Sequence, residues 1–97
     1  MKIELKKIGT TLSSRPAGKE AYAAILPLLE SIGKQETIEI DFDGVLSFSP
    51  SWGDEFLTPL LNRFGKRLVL LPHDNLSVIA TTNLLEELSG KKFNRKG

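Results

Sequence analysis

Two short stretches hold most of the residues with chemical potential. Ser13, Ser14 and Arg15 stand together ahead of a proline, while Asp41, Asp43, Asp54 and Glu55 flank a second serine-proline step, Ser49-Pro50-Ser51. Three arrangements use these groups. In the first, Arg15 pairs with one carboxylate, Asp54 or Asp43, and the serines satisfy the free amides of helix N-termini. In the second, Arg15 and the acidic pair form an edge presented to a partner protein. In the third, the loops hold a metal or a phosphate. Magnesium accepts clustered carboxylates but usually wants a substrate phosphate as well. A phosphate at the helix N-termini would be repelled by Asp54 and Glu55 in the same first turn. Neither a P-loop nor a dinucleotide-binding glycine pattern is present.

His73 is the single histidine, and there is no cysteine, so zinc ligation and thiol chemistry have no ligand set. Ser49 or Ser51 with His73 and Asp74 would make a formal hydrolase triad, but no nucleophile elbow or oxyanion loop accompanies them. A solvent-exposed turn histidine is the expectation. Trp52, the single tryptophan, is by default a core or core-edge residue. Its alternative role is an exposed anchor, since tryptophan is enriched at interface centres.

Chain-wide features narrow the function classes further. Ninety-seven residues with 40% hydrophobic and 26% charged side chains suit one compact domain. Thirteen basic against twelve acidic residues, net +1, argue against bulk nucleic-acid binding. No apolar run, neither Ala21 to Leu26 nor Leu68 to Leu71, is nearly long enough to span a bilayer. The alternating N-terminus, Met1 to Lys7, does not read as a secretory signal. A cytoplasmic domain with no membrane contact is expected.

The elements that must position these groups are legible from periodicity. Ile3 and Leu5 alternate with charged residues as a strand, followed by a small-residue loop, Gly9 to Ser14, with room for a second extended piece. Arg15-Pro16 opens a helix whose stripe runs Ala17, Ala21, Ala24, Ile25, Leu28, Leu29, Ile32, with a kink expected at Pro27 and a stop at Gly33. Thr37 to Phe42 is a strand ending in an Asp43-Gly44 turn, and Val45 to Phe48 leads to a second helix capped by Ser49 or by Ser51. That helix carries Phe56, Leu57, Leu60, Leu61 and Phe64, contains Pro59 and ends at Gly65. Arg67 to Leu71 reads as a strand buried on both faces. A third helix, capped by Asp74 or Asn75, should bury Leu76, Ile79, Ala80, Leu84 and Leu88. Residues 1–90 then form the domain, and residues 91–97 a solvated basic tail, weak evidence for a nucleic-acid or anionic-lipid contact.

Strand and helix alternate throughout, which implies an α/β domain with a mainly parallel or mixed sheet and three helices. Three loops, Gly9 to Arg15, Asp43 to Ser51 and Pro72 to Asn75, should gather at the carboxyl edge of that sheet, the default place for binding.

The segment Ile38-Glu39-Ile40-Asp41-Phe42-Asp43-Gly44-Val45, then Ser49 to Phe56, resembles a bacterial STAS-like family of unknown function. Ser14-Arg15 followed by Ala17-Gly18 matches its other mark, and the similarity covers roughly residues 3 to 80. That family lies near the sulfate-transporter and anti-sigma-factor-antagonist domains. The resemblance implies a non-catalytic regulatory domain that docks to proteins, in the best-understood relatives to a kinase-like ATPase acting as anti-sigma factor. In those antagonists a serine in an Asp-Ser-Ser-Gly turn is phosphorylated. Gly53 aligns with that glycine, which puts Trp52 in the acceptor slot and leaves Ser49 and Ser51 as neighbouring candidates. No cofactor is implied. The expected partner surface comprises Ser14, Arg15, Ser51, Trp52, Asp54 and Glu55, at the N-termini of the first two helices. A small metal- or nucleotide-binding domain, or an enzyme using the same loops, is the competing class.

Overall fold

The computed structural model describes residues 1–96. Strand β1 (Lys2–Glu4) is followed by a 3-10 turn, the short strand β2 (Thr11–Leu12) and helix α1 (Arg15–Leu29). Strands β3 (Ile38–Asp41) and β4 (Ser47–Phe48) precede helix α2 (Pro50–Phe64). Strand β5 (Leu68–Leu70), helix α3 (Leu76–Ser89) and strand β6 (Asn94–Arg95) complete the order. All pairings are parallel: a four-stranded sheet ordered β1-β3-β5-β6, and a separate two-stranded ribbon of β2 and β4.

The strand order advances without reversing, so right-handed crossovers place all three helices on one face of the sheet. Burial along the strands agrees. Ile3, Ile38, Ile40, Leu68 and Leu70 are buried, whereas Lys2, Glu4, Glu39, Asp41 and Val69 are half-buried or exposed. The open face carries the ion pairs Lys2–Asp41 (3.4 Å) and Lys96–Glu39 (3.2 Å). Strand β5 is thus covered on one face, not on both as its continuous apolar run suggests.

Helix starts are set by short side chains. Ser14 Oγ accepts from the Ala17 amide (3.2 Å), and Ser49 Oγ accepts from the Trp52 amide (3.2 Å). The second choice settles the cap of α2 on Ser49 rather than Ser51. Both helices continue through their internal prolines, Pro27 and Pro59.

Helix α2 lies between its two neighbours. It meets α1 where Gly18 abuts the Trp52 backbone: a Cβ at Gly18 would stand 2.6 Å from the Trp52 carbonyl oxygen. It meets α3 through Gly53, against which Phe48, Thr81 and Leu85 close to 3.1 Å of a notional Cβ. The three-helix layer depends on these two close approaches.

Two further sequence expectations need correction. Helix α3 buries Val78, Thr81, Thr82, Leu85 and Glu86. The expected inner face, Leu76, Ile79, Ala80, Leu84 and Leu88, points outward. Three polar residues occupy the inner face because each finds a partner there. Thr81 donates to the Phe48 carbonyl (2.6 Å), Thr82 to that of Val78 (2.9 Å), and Glu86 accepts from the Phe93 amide (2.8 Å) and Arg95 (2.7 Å).

The basic C-terminal segment is likewise not a solvated tail through residue 96. Phe93 is buried, Asn94 and Arg95 pair with Val69 and Leu70 of β5, and the Lys96 amide donates to the Leu70 carbonyl (3.0 Å). The Glu86 carboxylate anchors this segment, and the remaining residue of the expected 91–97 tail, Gly97, lies outside the described residues.

Candidate functional site

The three loops expected at one rim are joined there by hydrogen bonds. The Leu46 and Ser47 amides donate to the Thr10 carbonyl (2.8 and 3.2 Å), and the Ser49 amide donates to that of Leu12 (2.9 Å). Ser49 Oγ donates to the Ser13 carbonyl (2.7 Å) while capping α2. From the third loop, Asn75 Nδ2 donates to the carbonyls of Val45 (2.8 Å) and Leu46 (3.3 Å), and its Oδ1 caps α3 by accepting from the Ser77 and Val78 amides. Ser77 Oγ accepts from the Phe48 amide (3.2 Å). The turn entering this region has Gly44 at φ +85°, with the Val45 amide returned to the Phe42 carbonyl (3.0 Å), a geometry that favours glycine.

Arg15 leaves the first turn of α1 and reaches the first turn of α2. A single nitrogen, Nη1, donates to Asp54 Oδ2 (2.9 Å) and Glu55 Oε1 (3.0 Å). Thr58 Oγ1 holds the other oxygen of Asp54 (3.0 Å). Hydrogen bonds from Arg15 to Asp54 and then to Glu55 raise the guanidinium pKa further, so its charge persists at every working pH. The cluster is open to solvent, with side chains 51% exposed at Arg15, 41% at Asp54 and 29% at Glu55. Exposed pairs of this kind contribute little to stability, which leaves them free to be rearranged by a partner. Asp41 and Asp43 do not join it: they pair with Lys2 (3.4 Å) and Lys6 (3.8 Å), and the Asp43 amide donates to Asp41 (2.9 Å), which holds the Asp41 carboxyl below its ordinary range.

Trp52 is not an exposed anchor. It is 1% exposed, stacked on Phe56 (centroids 4.8 Å apart) with the Phe48 ring edge-on at 5.7 Å. Its backbone receives α1 at Gly18, so burial of the ring is tied to the helix contact that carries Arg15 towards Asp54. Beside α1 a cleft of about 360 Å³ opens, with Trp52 at its base and Ile8, Leu12, Ala17, Glu20 and Ala21 around it. Ile8, 42% exposed, gives the cleft an apolar lip.

Ser14 is exposed and Ser51 half-buried. Ser49 is committed twice, as donor and as acceptor, and is the less available of the two serines considered for modification. His73 is half-buried rather than free in solvent. Its Nδ1 accepts from the Asn75 amide (3.1 Å), and Phe42 packs edge-on at 5.1 Å. Burial, aided by the nearby charge of Arg95 and opposed by Asp74, lowers its pKa. This contact occupies the Nδ1 that a triad carboxylate would use, and Ser49, one of the two serines offered as nucleophile, is engaged in capping. Among the described residues no three His, Cys, Asp or Glu side chains gather as a metal-binding group.

Sequence reasoning missed two features of the surface. The cleft combines residues from the loop after β1 with α1, a proximity that no local pattern encodes. The outward apolar row of α3 was assigned to the core. Its signal was present in the excess of apolar residues around the whole helix, with Val78 and Leu85 on one side and Leu76 and Leu88 on the other.

No helix among the described residues is long and apolar enough to cross a membrane. Searches among curated proteins and among solved structures found no match. Comparison with protein families matches residues 17–78, more than half of the chain, to the STAS-like domain of unknown function (DUF4325). The parallel sheet backed by three helices agrees with that match, and the chain belongs to this STAS-like family.

Proposed function

We propose that this protein is a non-catalytic regulatory domain that docks a protein partner at the rim where α1 and α2 begin. The observation that carries the reading is the Arg15–Asp54–Glu55 cluster, charged, solvent-accessible and held on a rim of interlocked loops. A partner cation can compete for the two carboxylates, and a partner carboxylate for Arg15, so the cluster selects by charge pattern. Ser14 and Ser51 lie beside it, and the cleft based on Trp52 receives an apolar side chain of the partner. Trp52 thereby serves as floor and helix spacer rather than as a protruding anchor.

The likeness to anti-sigma-factor antagonists makes a kinase-like ATPase the partner class to try first. Phosphorylation of Ser51 would add about −1.5 to −2 charges next to Asp54 and Glu55. Repulsion from these carboxylates, with Arg15 drawn to the new phosphate, would remodel the docking surface and release the partner.

Affinity capture with wild type, Arg15→Glu and Asp54→Lys tests this reading. The expected result is a protein retained by wild type and lost from both variants, with circular dichroism unchanged because both substituted side chains are exposed or half-exposed. Equal retention by the three forms would refute it.

A further inference from the structure

Outside the rim, α3 presents a row of apolar side chains to solvent: Leu76 is 80% exposed, Leu88 73%, Ile79 42% and Leu84 36%, with exposed Ala80 between them. Leu46, 74% exposed, extends the row, fixed next to the start of α3 by the Asn75 hydrogen bonds to Val45 and Leu46. The other side of α3 is packed into the core through Val78, Leu85 and the partnered Thr81, Thr82 and Glu86, so the exposed row is not the face that the fold uses and remains to be covered.

Two features identify what covers it. Leu76, Ala80, Leu84 and Leu88 recur every fourth residue, and two such ridges interlock with each other at a crossing of about −50°, the small Ala80 permitting close approach. Charge is also distributed end to end. Exposed Asp74 precedes the helix, and exposed Lys91 and Lys92 follow it. Antiparallel pairing about a two-fold axis sets the acidic end of each copy against the basic end of the other, whereas parallel pairing opposes like charges. Glu87, the one charge on the outward face, then falls towards the positive end of the opposing helix dipole. A net charge of +1 leaves little repulsion between copies.

We propose that the outer face of α3 is a self-association surface, on which a second copy of this chain seats its own α3 antiparallel about a two-fold axis. A single helix of 14 residues, about 21 Å long, is small beside the roughly 800 Å² per partner of a standard interface. The dimer is therefore weak, with a dissociation constant on the order of 10–100 µM. This surface is separate from the Arg15 cluster and stands or falls independently of the docking role.

Sedimentation equilibrium on the full chain, from about 5 µM to about 1 mM, brackets that dissociation constant. The expected mass rises from 10.7 kDa towards twice that value. Leu76→Asp and Leu88→Asp should each weaken association by about tenfold or more without lowering Tm, since both side chains are exposed. Lys92→Glu should weaken it, and Asp74→Lys combined with Lys92→Glu should restore it, which only the antiparallel arrangement allows. A 10.7 kDa species across the whole range overturns the proposal. If that monomer binds phosphatidylcholine–phosphatidylglycerol vesicles, the face belongs to a membrane; if it does not, to a different protein. A dimer indifferent to both aspartate substitutions, or not rescued by the charge exchange, overturns it equally.

Discussion

Replacing Gly18 by alanine tests the contact that brings the two rim helices together. The added Cβ would stand 2.6 Å from the Trp52 carbonyl oxygen, 3.0 Å from its Cα and 3.1 Å from its carbonyl carbon. All three are backbone atoms inside α2, so no rotamer change relieves the clash. The helices must separate by about 1 Å to reach ordinary contact, and overpacking of this kind costs about 1–3 kcal/mol or more. Helix propensity acts in the opposite direction, since alanine is favoured over glycine by about 1 kcal/mol in a helix interior. The clash is against rigid backbone, so the upper part of the overpacking range applies, and the net loss is about 1–2 kcal/mol. For a domain of this size that corresponds to a Tm fall of about 4–16 °C. Urea denaturation with an unchanged slope gives the free energy directly. Ala23→Gly, on the exposed side of the same helix, calibrates the propensity effect. A Gly18→Ala protein as stable as wild type, or more stable, would refute the close-packed contact and with it the account of how Arg15 is positioned.

Glu86→Ala should cost about 2–4 kcal/mol, because it leaves the Phe93 amide and part of Arg95 without their acceptor and loosens β6. Burial raises the Glu86 pKa, but hydrogen bonds from Arg95 and the Phe93 amide outweigh it and hold the folded value below the ordinary range. The ionised group's contribution is therefore fully present above the ordinary carboxyl range and is lost as pH falls through the depressed folded value. The stability gap between wild type and variant should narrow at acid pH in urea titrations. His73 has its folded pKa lowered mainly by burial. Its stabilising contribution as the neutral form is complete above the ordinary value of about 6.5 and declines as pH falls below it. Stability should drop between pH 7 and pH 5 in wild type and less so in His73→Gln; parallel profiles would contradict this.

Much of the frame was readable because it rests on local chemistry. A serine one or two residues ahead of a proline places a capping oxygen and a fixed φ in the first helical turn, and both Ser14, before Arg15-Pro16, and Ser49, before Pro50, perform that role. Alternation in Ile38-Glu39-Ile40-Asp41 reproduces the burial pattern of β3. The rim is anticipated from topology, since parallel strands with helical crossovers gather their exit loops on one edge, and Asp54 is one of the two carboxylates, with Asp43, expected to pair with Arg15. That Glu55 shares the same nitrogen, while Asp43 turns to Lys6, depends on the relative height of two helices and was not legible. The inner face of α3 was misread because periodicity ranks leucine above threonine and glutamate for burial. It cannot register a carbonyl waiting at Phe48 or an arginine arriving from residue 95.

The sequence by itself determined the alternation of strands and helices, the capped helix starts and the loops that share an edge, because these follow from interactions among residues near one another in the chain. Tertiary structure alone decided that Trp52 lies beneath the rim, that Phe93 and Arg95 extend the sheet, and that the leucines of α3 face solvent. Each depends on how closely distant backbones approach at Gly18 and Gly53 and on whether a buried polar group meets its partner.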